Sequence, residues 1–417
     1  MSQPPDSQSM TRRTVMAGGI AAAALSAGAA AAQPATAEAG GATAHGLVFD
    51  ETAGRRGIAG VMVSNGRDVV KTDADGRWSL PVRPGDAVFV IKPSGYMTPV
   101  DPVTQLPRFS YLYVPDGTPT HLGFRFPGIA PTGALPDSID FALRPQTESA
   151  SFNAILFTDP QPETLAEVGY VRDDVVVTTA GIDAAFGITH GDVAFDDLSF
   201  YHRYNSIVGT VGLPWYNCCG NHDMNLEAPD NVHSRETFKR VFGARYYAMQ
   251  YGGTTFLLLD NVDYLGTDPA KPNAFGKYQG RFGADQLAFV RNVLANVPTD
   301  SLVVLSFHIP LRTLQGTVPA VMNVDTADLS SARPTATRPA RTITMCWRPS
   351  RGAGGAARSM SGASRWRWKA TAVRTASMSC RSTRAGPPRR WCRRVTRRAA
   401  RCASCWTARC TGRTRRC

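Results

Sequence analysis

Asp159, Gln161, Asp192, Asn221, His222, Asp223 and His308 are the residues whose types and spacing could do chemistry. Each lies just past an apolar, strand-like run. Phe152-Asn-Ala-Ile-Leu-Phe-Thr leads into Asp159-Pro160-Gln161, and Phe186-Gly-Ile-Thr-His leads into Gly191-Asp192. Leu213-Pro-Trp-Tyr-Asn-Cys-Cys leads into Gly220-Asn221-His222-Asp223, and Leu302-Val-Val-Leu-Ser-Phe leads into His308. Short apolar runs that end in polar residues read as buried parallel strands with ligands at their carboxyl ends. That edge is where open α/β sheets place their sites. Carboxylate, amide and imidazole donors converging there suit a pair of divalent metal ions.

Positioning such residues takes strands alternating with helices, and the pattern from residue 150 supplies them. Thr255-Phe-Leu-Leu-Leu259, before Asp260, reads as a further buried strand. Leu287, Val290, Val293, Leu294 and Val297 recur at helical spacing behind Gly283-Ala-Asp285. Residues 263–282, rich in Gly, Pro and Asn, read as a surface loop. His190 reads as buried and structural, His202 and His233 as helical, and Cys218 and Cys219 as strand residues.

Ahead of this region, residues 44–147 read as all-β. Runs beginning at Gly46, Gly60, Asp68, Arg77 and Ala87 alternate with the turn signals Asn65-Gly66, Asp73-Ala-Asp-Gly76 and Pro84-Gly85. The spacing argues a small sandwich. A Pro-rich, irregular segment 98–139 precedes Ile139-Asp-Phe-Ala-Leu143, which closes it. The expected fold class is therefore α/β: a layered β-sheet core with helices over 150–328, preceded by the small all-β sandwich.

The 417 residues suffice for two domains. The net charge of +13 suggests a nucleic-acid binder, but it is unevenly spread. Residues 331–417 hold 22 Arg, one Lys and no Asp or Glu, so residues 1–330 carry −10. Seven of the nine cysteines also lie in that tail, which leaves no disulfide framework in the folded part. Thr11-Arg12-Arg13 before an Ala/Gly-rich stretch to Ala32 reads as an export signal over 1–37, of the twin-arginine type, sending the protein to the periplasm or outside. No later run is long enough to span a membrane, and no G-x-S-x-G elbow points to a serine hydrolase.

The blocks Asp159-x-Gln161, Gly191-Asp192, Gly220-Asn221-His222-Asp223 and His308 resemble, in order, those of the calcineurin-like metallophosphoesterases. That family reads D-x-H, G-D, G-N-H-D/E, a lone His and a closing G-H-x-H. The resemblance covers roughly residues 150 to 315, with the GNHD tetrad its most specific part. Gln161 stands where most members have His, and no His follows His308. The phrase from Gly60 to Leu80 resembles transthyretin-like and carboxypeptidase-regulatory-like domains, found ahead of phosphoesterase domains in some exported enzymes.

The resemblance implies a phosphoester hydrolase working through two divalent ions, manganese, zinc or iron. Asp159 and Gln161 would serve the first ion, Asp192 would bridge, and Asn221 and His308 would serve the second. His222 would face the substrate and protonate the leaving oxygen, with Asp223 orienting it. The implied substrate is a small or cell-envelope phosphoester, with no specific nucleic acid. The alternative is a non-catalytic exported protein whose sandwich binds cell-wall or glycan material beside a dead phosphoesterase domain.

The tail bears on that choice. Residues 331–417 lack Leu, Phe, Tyr, Asn, Gln and His, yet carry five Trp. This is what GC-rich codons yield when read out of frame, with the shift expected near 329–333. Shifting the frame across Pro334–Thr337 permits a His-x-His pair where the family requires one. As it stands, the tail has too little aliphatic content for a core and reads as a disordered basic segment. Its arginines would bind polyanions nonspecifically, and Cys402-x-x-Cys405 has no second pair to complete a zinc site.

Overall fold

The computed structural model describes residues 42–267, 276–299, 301–311 and 322–324, together with the backbone of three later strands. The expected export signal lies outside the described residues. The N-terminal strands are β1 (Ala42–Asp50), β2 (Arg56–Gly57), β3 (Met62–Ser64), β4 (Val69–Lys71), β5 (Arg77–Val82), β6 (Ala87–Val90), β7 (Tyr96–Met97), β8 (Ser110–Leu112) and β9 (Phe141–Pro145). They form two sheets. One runs β2-β1-β9-β7 with β5 also paired to β1, and the other runs β4-β3-β6-β8. Along β5, Trp78, Leu80 and Val82 point inward while Arg77, Ser79 and Pro81 face out, the period of a half-buried strand. Trp78 stacks on Phe141 with ring centroids 6.0 Å apart, which joins β5 to β9. β8 falls within the segment that the sequence reads as irregular.

The second region follows. β10 (Ala154–Phe157), α1 (Leu165–Tyr170), β11 (Phe186–His190), α2 (Tyr201–Gly209) and β12 (Trp215–Cys218) build a parallel sheet ordered β10-β11-β12. α3 (Glu236–Phe242), β13 (Tyr247–Tyr251), β14 (Thr254–Leu258), β15 (Val262–Tyr264), β16 (Tyr278–Gly280), α4 (Ala284–Asn296), β17 (Leu302–Phe307) and β18 (Arg341–Cys346) come next. Of these, β13-β14-β17-β18 form a sheet in which β14, β17 and β18 are parallel. β15 and β16 pair as an antiparallel ribbon inside the expected surface loop.

The continuous apolar runs are explained by burial on both faces. Leu156, Ile188 and Cys218 share one core with Phe256, Leu258 and Val304 of the other sheet. The alternate residues Ile155, Phe157 and Trp215 pack against Tyr201, Tyr204 and Val208 of α2 and against Phe238 and Phe242 of α3. The sandwich shares the first of these cores. Phe89 meets Phe289 of α4 edge to face at 5.5 Å, and the Tyr246 hydroxyl donates to Gly66 O at 2.8 Å. Lys92 Nζ donates to Glu148 Oε1 and to Gln250 O, both at 2.7 Å.

β18, with β19 (Ala376–Cys380) and β20 (Trp406–Cys410), lies in the Arg-rich stretch. The parallel register of β18 beside β17 corrects the expectation of a wholly unstructured tail. Thr342, Ile343 and Thr344 are β-branched and suit an extended backbone. The rest of 331–417 lies outside the described residues.

Candidate metal centre

The carboxyl ends of β10, β11, β12 and β17 bring the predicted residues to one edge. Asp159, Asp192 and His308 each offer a donor atom within 4.8 Å of the others, and all three are buried. His308 Nε2 lies 3.2 Å from Asp192 Oδ2 and 3.0 Å from Asn221 Oδ1. Its Nδ1–H donates to His190 O at 2.8 Å, which turns Nε2 toward the donor cluster. Gln161 reaches the same place, with Nε2 donating to Asp159 Oδ1. Turned over, the amide would present its oxygen there instead.

Two glycines allow this convergence. A Cβ on Gly220 would stand 2.1 Å from Asp192 Oδ1, and one on Gly191 would stand 2.6 Å from His308 Nδ1. The backbone is also held away from its easy regions. Asp159 (φ 58°), Gln161 (26°), Asp192 (52°) and Asp196 (60°) are four of the six non-glycine residues with positive φ among the described residues. Such clustering marks sites where surrounding contacts over-determine a costly conformation. Here the contacts include Gln161 N–H donating to Asp192 O at 2.8 Å and His222 N–H donating to Asp192 Oδ1 at 2.9 Å.

The electrostatics call for positive charge. Burial and the neighbouring Asp192 carboxylate push Asp159 up to about 8. Burial works against ionised Asp192 too, but His308 overcomes it and holds Asp192 at about 2. Burial likewise opposes a charged His308, yet Asp192 and Asp159 lift it to about 10. Adjacent buried carboxylates of this kind are stabilised by a cation. Carboxylate, amide and imidazole donors fit divalent metal, so the residues present suit the ions that the sequence reading expects.

His222 stands at the rim, with 24% of its side chain exposed. The carboxylate bonded to it is Asp196, whose Oδ1 lies 2.7 Å from His222 Nδ1, and not Asp223 as expected. Phe195 stacks on the imidazole at 4.1 Å and 22°, fixing the ring plane. Burial lowers the His222 pKa, but Asp196 and Asp192 outweigh it and the net shift is upward. Asp223 turns inward instead. It is fully buried and accepts from Val193 N at 3.0 Å, Gly220 N at 2.9 Å and Tyr201 Oη at 3.0 Å. It therefore ties the GNHD loop to the Asp192 loop. Burial and Asp192 raise it to about 6.

Two residues escaped the sequence reading. Asp196 lies four positions after Asp192, and no pattern along the chain distinguishes it from neighbouring Asp197. Asn261 receives Ile309 N–H at 3.0 Å and donates to Ile309 O at 2.6 Å, clamping the chain just past His308. Its signal was the polar pair Asp260-Asn261 after an apolar run, the signature used for the others. His190 is buried as expected, its Nδ1 lies 3.3 Å from Phe157 O, and burial lowers it to about 4. His202 is in α2 as expected, whereas His233 sits in the turn before α3, held by Asp230 at 2.9 Å. Cys218 and Cys219 are buried and free.

Residues 45–126 match the family model described as the N terminal of Calcineurin-like phosphoesterase. Among solved structures, the chain is similar to a dimetal phosphatase from Danio rerio at 16% identity. The match covers 46% of this chain and 86% of that one, with a TM-score of 0.32, too loose to bear on chemistry. No curated protein matches the chain.

Proposed function

We propose that this chain is a calcineurin-like phosphoesterase that hydrolyses a small or cell-envelope phosphoester outside the cytoplasm, with two divalent cations. The observation that carries this reading is the buried convergence of Asp159, Asp192 and His308 from three strand ends, with Asn221 beside His308. Asp159 and Gln161 would hold one ion, Asn221 and His308 the other, and Asp192 both. When bound, such a pair lowers the pKa of a shared water and stabilises charge on the phosphoryl oxygens.

The chain's own part is proton transfer and positioning. His222 Nδ1–H donates to Asp196, which leaves Nε2–H to protonate the departing oxygen. The imidazole is then neutral, with Nδ1 still protonated. Phe195 keeps the ring from turning away from the substrate. Asp223 keeps Gly220 and Val193 together, so that Asn221 and Asp192 face one point.

No His follows His308, so the closing His-x-His ligands are missing from this chain and turnover should be weak. The same absence favours a second reading, a non-catalytic exported protein with a dead phosphoesterase domain. Elemental analysis after manganese loading, with turnover of bis(p-nitrophenyl) phosphate with and without chelator, separates the two. Chelator-sensitive hydrolysis that Asp192→Asn abolishes supports catalysis. Bound metal without hydrolysis supports the second reading, and failure to bind any divalent ion overturns both.

The described residues contain no helix long and apolar enough to cross a membrane. Export through Arg12-Arg13 remains part of the proposal. A fusion of residues 1–44 to a reporter that must fold before export tests it, expecting loss of export with both arginines changed to lysine.

A further inference from the structure

A cavity of about 210 Å³ lies where stretches of the sandwich region, at 104–106 and 126–127, meet α2 and α3. Interfaces between structural regions are a usual place for small-molecule sites. Much of its wall is apolar, with Leu106, Phe126, Leu198, the Tyr201 ring and Val241. Phe126, Leu198 and Tyr201 are buried. An apolar cavity of about 150 Å³ holds one benzene ring, so this one admits a ring that carries a substituent.

The rest of the wall is polar and includes His202 of α2 and Arg240 of α3, both exposed, so the cavity opens to solvent beside them. Arg240 Nε donates to Pro127 O at 3.0 Å, and Pro127 also lines the cavity. That bond holds the guanidinium at the opening. Its Nη1 and Nη2 make no hydrogen bond or ion pair among the described residues. Nearby hydroxyls are engaged elsewhere: Ser199 Oγ donates to Asp197 Oδ1 at 2.6 Å, and Thr237 Oγ1 donates to Pro127 O at 3.0 Å. No Asp or Glu among the described residues lines the cavity.

The Nη1–Nη2 fork can give two parallel bonds to a carboxylate. A neutral guest leaves that fork to water, and water alone leaves the apolar wall wet. The wall carries one permanent cation, which balances a single negative charge.

We propose that this cavity binds a small monocarboxylate with a compact apolar body, its carboxylate on the Arg240 fork and its body among Leu106, Phe126, Leu198 and Val241. The site does not depend on the metal edge or on the phosphoester reading.

The test is fluorine NMR titration of para-fluorobenzoate into the full chain, in chelator so that no metal ion draws the carboxylate. The alcohol para-fluorobenzyl alcohol keeps the body without the charge, and trifluoroacetate keeps the charge without the body. The benzoate should bind saturably and at least about tenfold more tightly than either control, as charge-assisted hydrogen bonds and ring burial imply. Arg240→Gln should weaken it by about the same factor and leave the alcohol unchanged. Val241→Trp, which fills the cavity, should abolish binding of both. Absence of saturable benzoate binding overturns the proposal, as does equal affinity for either control or unchanged affinity in Arg240→Gln. Benzoate binding that survives Val241→Trp places the guest elsewhere and also overturns it. Circular dichroism checks that each variant folds. If Val241→Trp does not, Arg240→Gln and the two controls decide alone.

Discussion

His222 and Asp196 act as a pair, and kinetics should separate their contributions. In the metal-loaded protein, His222→Ala should lower kcat by about 10²- to 10⁴-fold, the usual contribution of a general acid, with metal content unchanged. Loss of metal in that variant would make His222 a ligand. Asp196→Asn removes the carboxylate that lifts the His222 pKa. The alkaline limb of the kcat profile should therefore move to lower pH, because the acid form is lost sooner. In chelator, the buried cluster sets a pH dependence of stability. Asp159 stands at about 8 in the fold against 3.8, so ionising it opposes folding, and stability falls as pH rises through that window. His308 stands at about 10 against 6.5, so its contribution is whole below 6.5 and is lost as pH rises through about 10. Asp192 stands at about 2 against 3.8, so its contribution is lost only as pH falls through that lower window. Tm in chelator should thus decline from about pH 5 to about pH 9. The gain on adding manganese should grow over the same range, since metal replaces protons on these donors. Scanning calorimetry at three pH values checks both, and a Tm rising with pH in chelator would contradict the cluster.

At the scale of elements, the site depends on strand ends that meet closely. Gly220→Ala would drive a Cβ to 2.1 Å from Asp192 Oδ1 and 2.2 Å from Asp192 N, and neither can retreat without breaking the metal edge. The expected loss is about 1–3 kcal/mol by denaturant unfolding, as for overpacking elsewhere, with a fall in bound metal. Gly169→Ala in α1 meets nothing within 4 Å and should be harmless. The four site strands were legible because each is buried on both faces and breaks abruptly into polar residues. β15 and β16 were not, because their pairing spans a Gly- and Pro-rich stretch and is fixed by contacts distant in sequence. Asp223 was misread for a related reason. Its place beside His222 in the chain says nothing of direction, and the approach of the Asp192–Asp196 loop decides which carboxylate meets the imidazole.

At the scale of the molecule, the sandwich and the two-sheet region bury one another. The change of pattern near residue 150 shows where one architecture gives way to the next. It cannot show that Phe89 finds Phe289 or that Lys92 crosses to Gln250. Removing residues 1–149 should expose that shared apolar face and leave Gly252 N–H, which donates to Glu148 Oε2 at 2.7 Å, without its acceptor. The remaining chain should be insoluble, or collapse without a cooperative melt. A soluble 150–417 fragment with a sharp transition by circular dichroism would make the sandwich dispensable.

The inward turn of Asp223 has a consequence for deuterium uptake. Amides in connecting loops ordinarily exchange with solvent quickly, because they open without disturbing the core. Those of Val193 and Gly220 donate to a carboxylate with no exposure at all. They should label as slowly as the strands beside them, and Asp223→Ala should release both together while leaving protection in the sandwich unchanged.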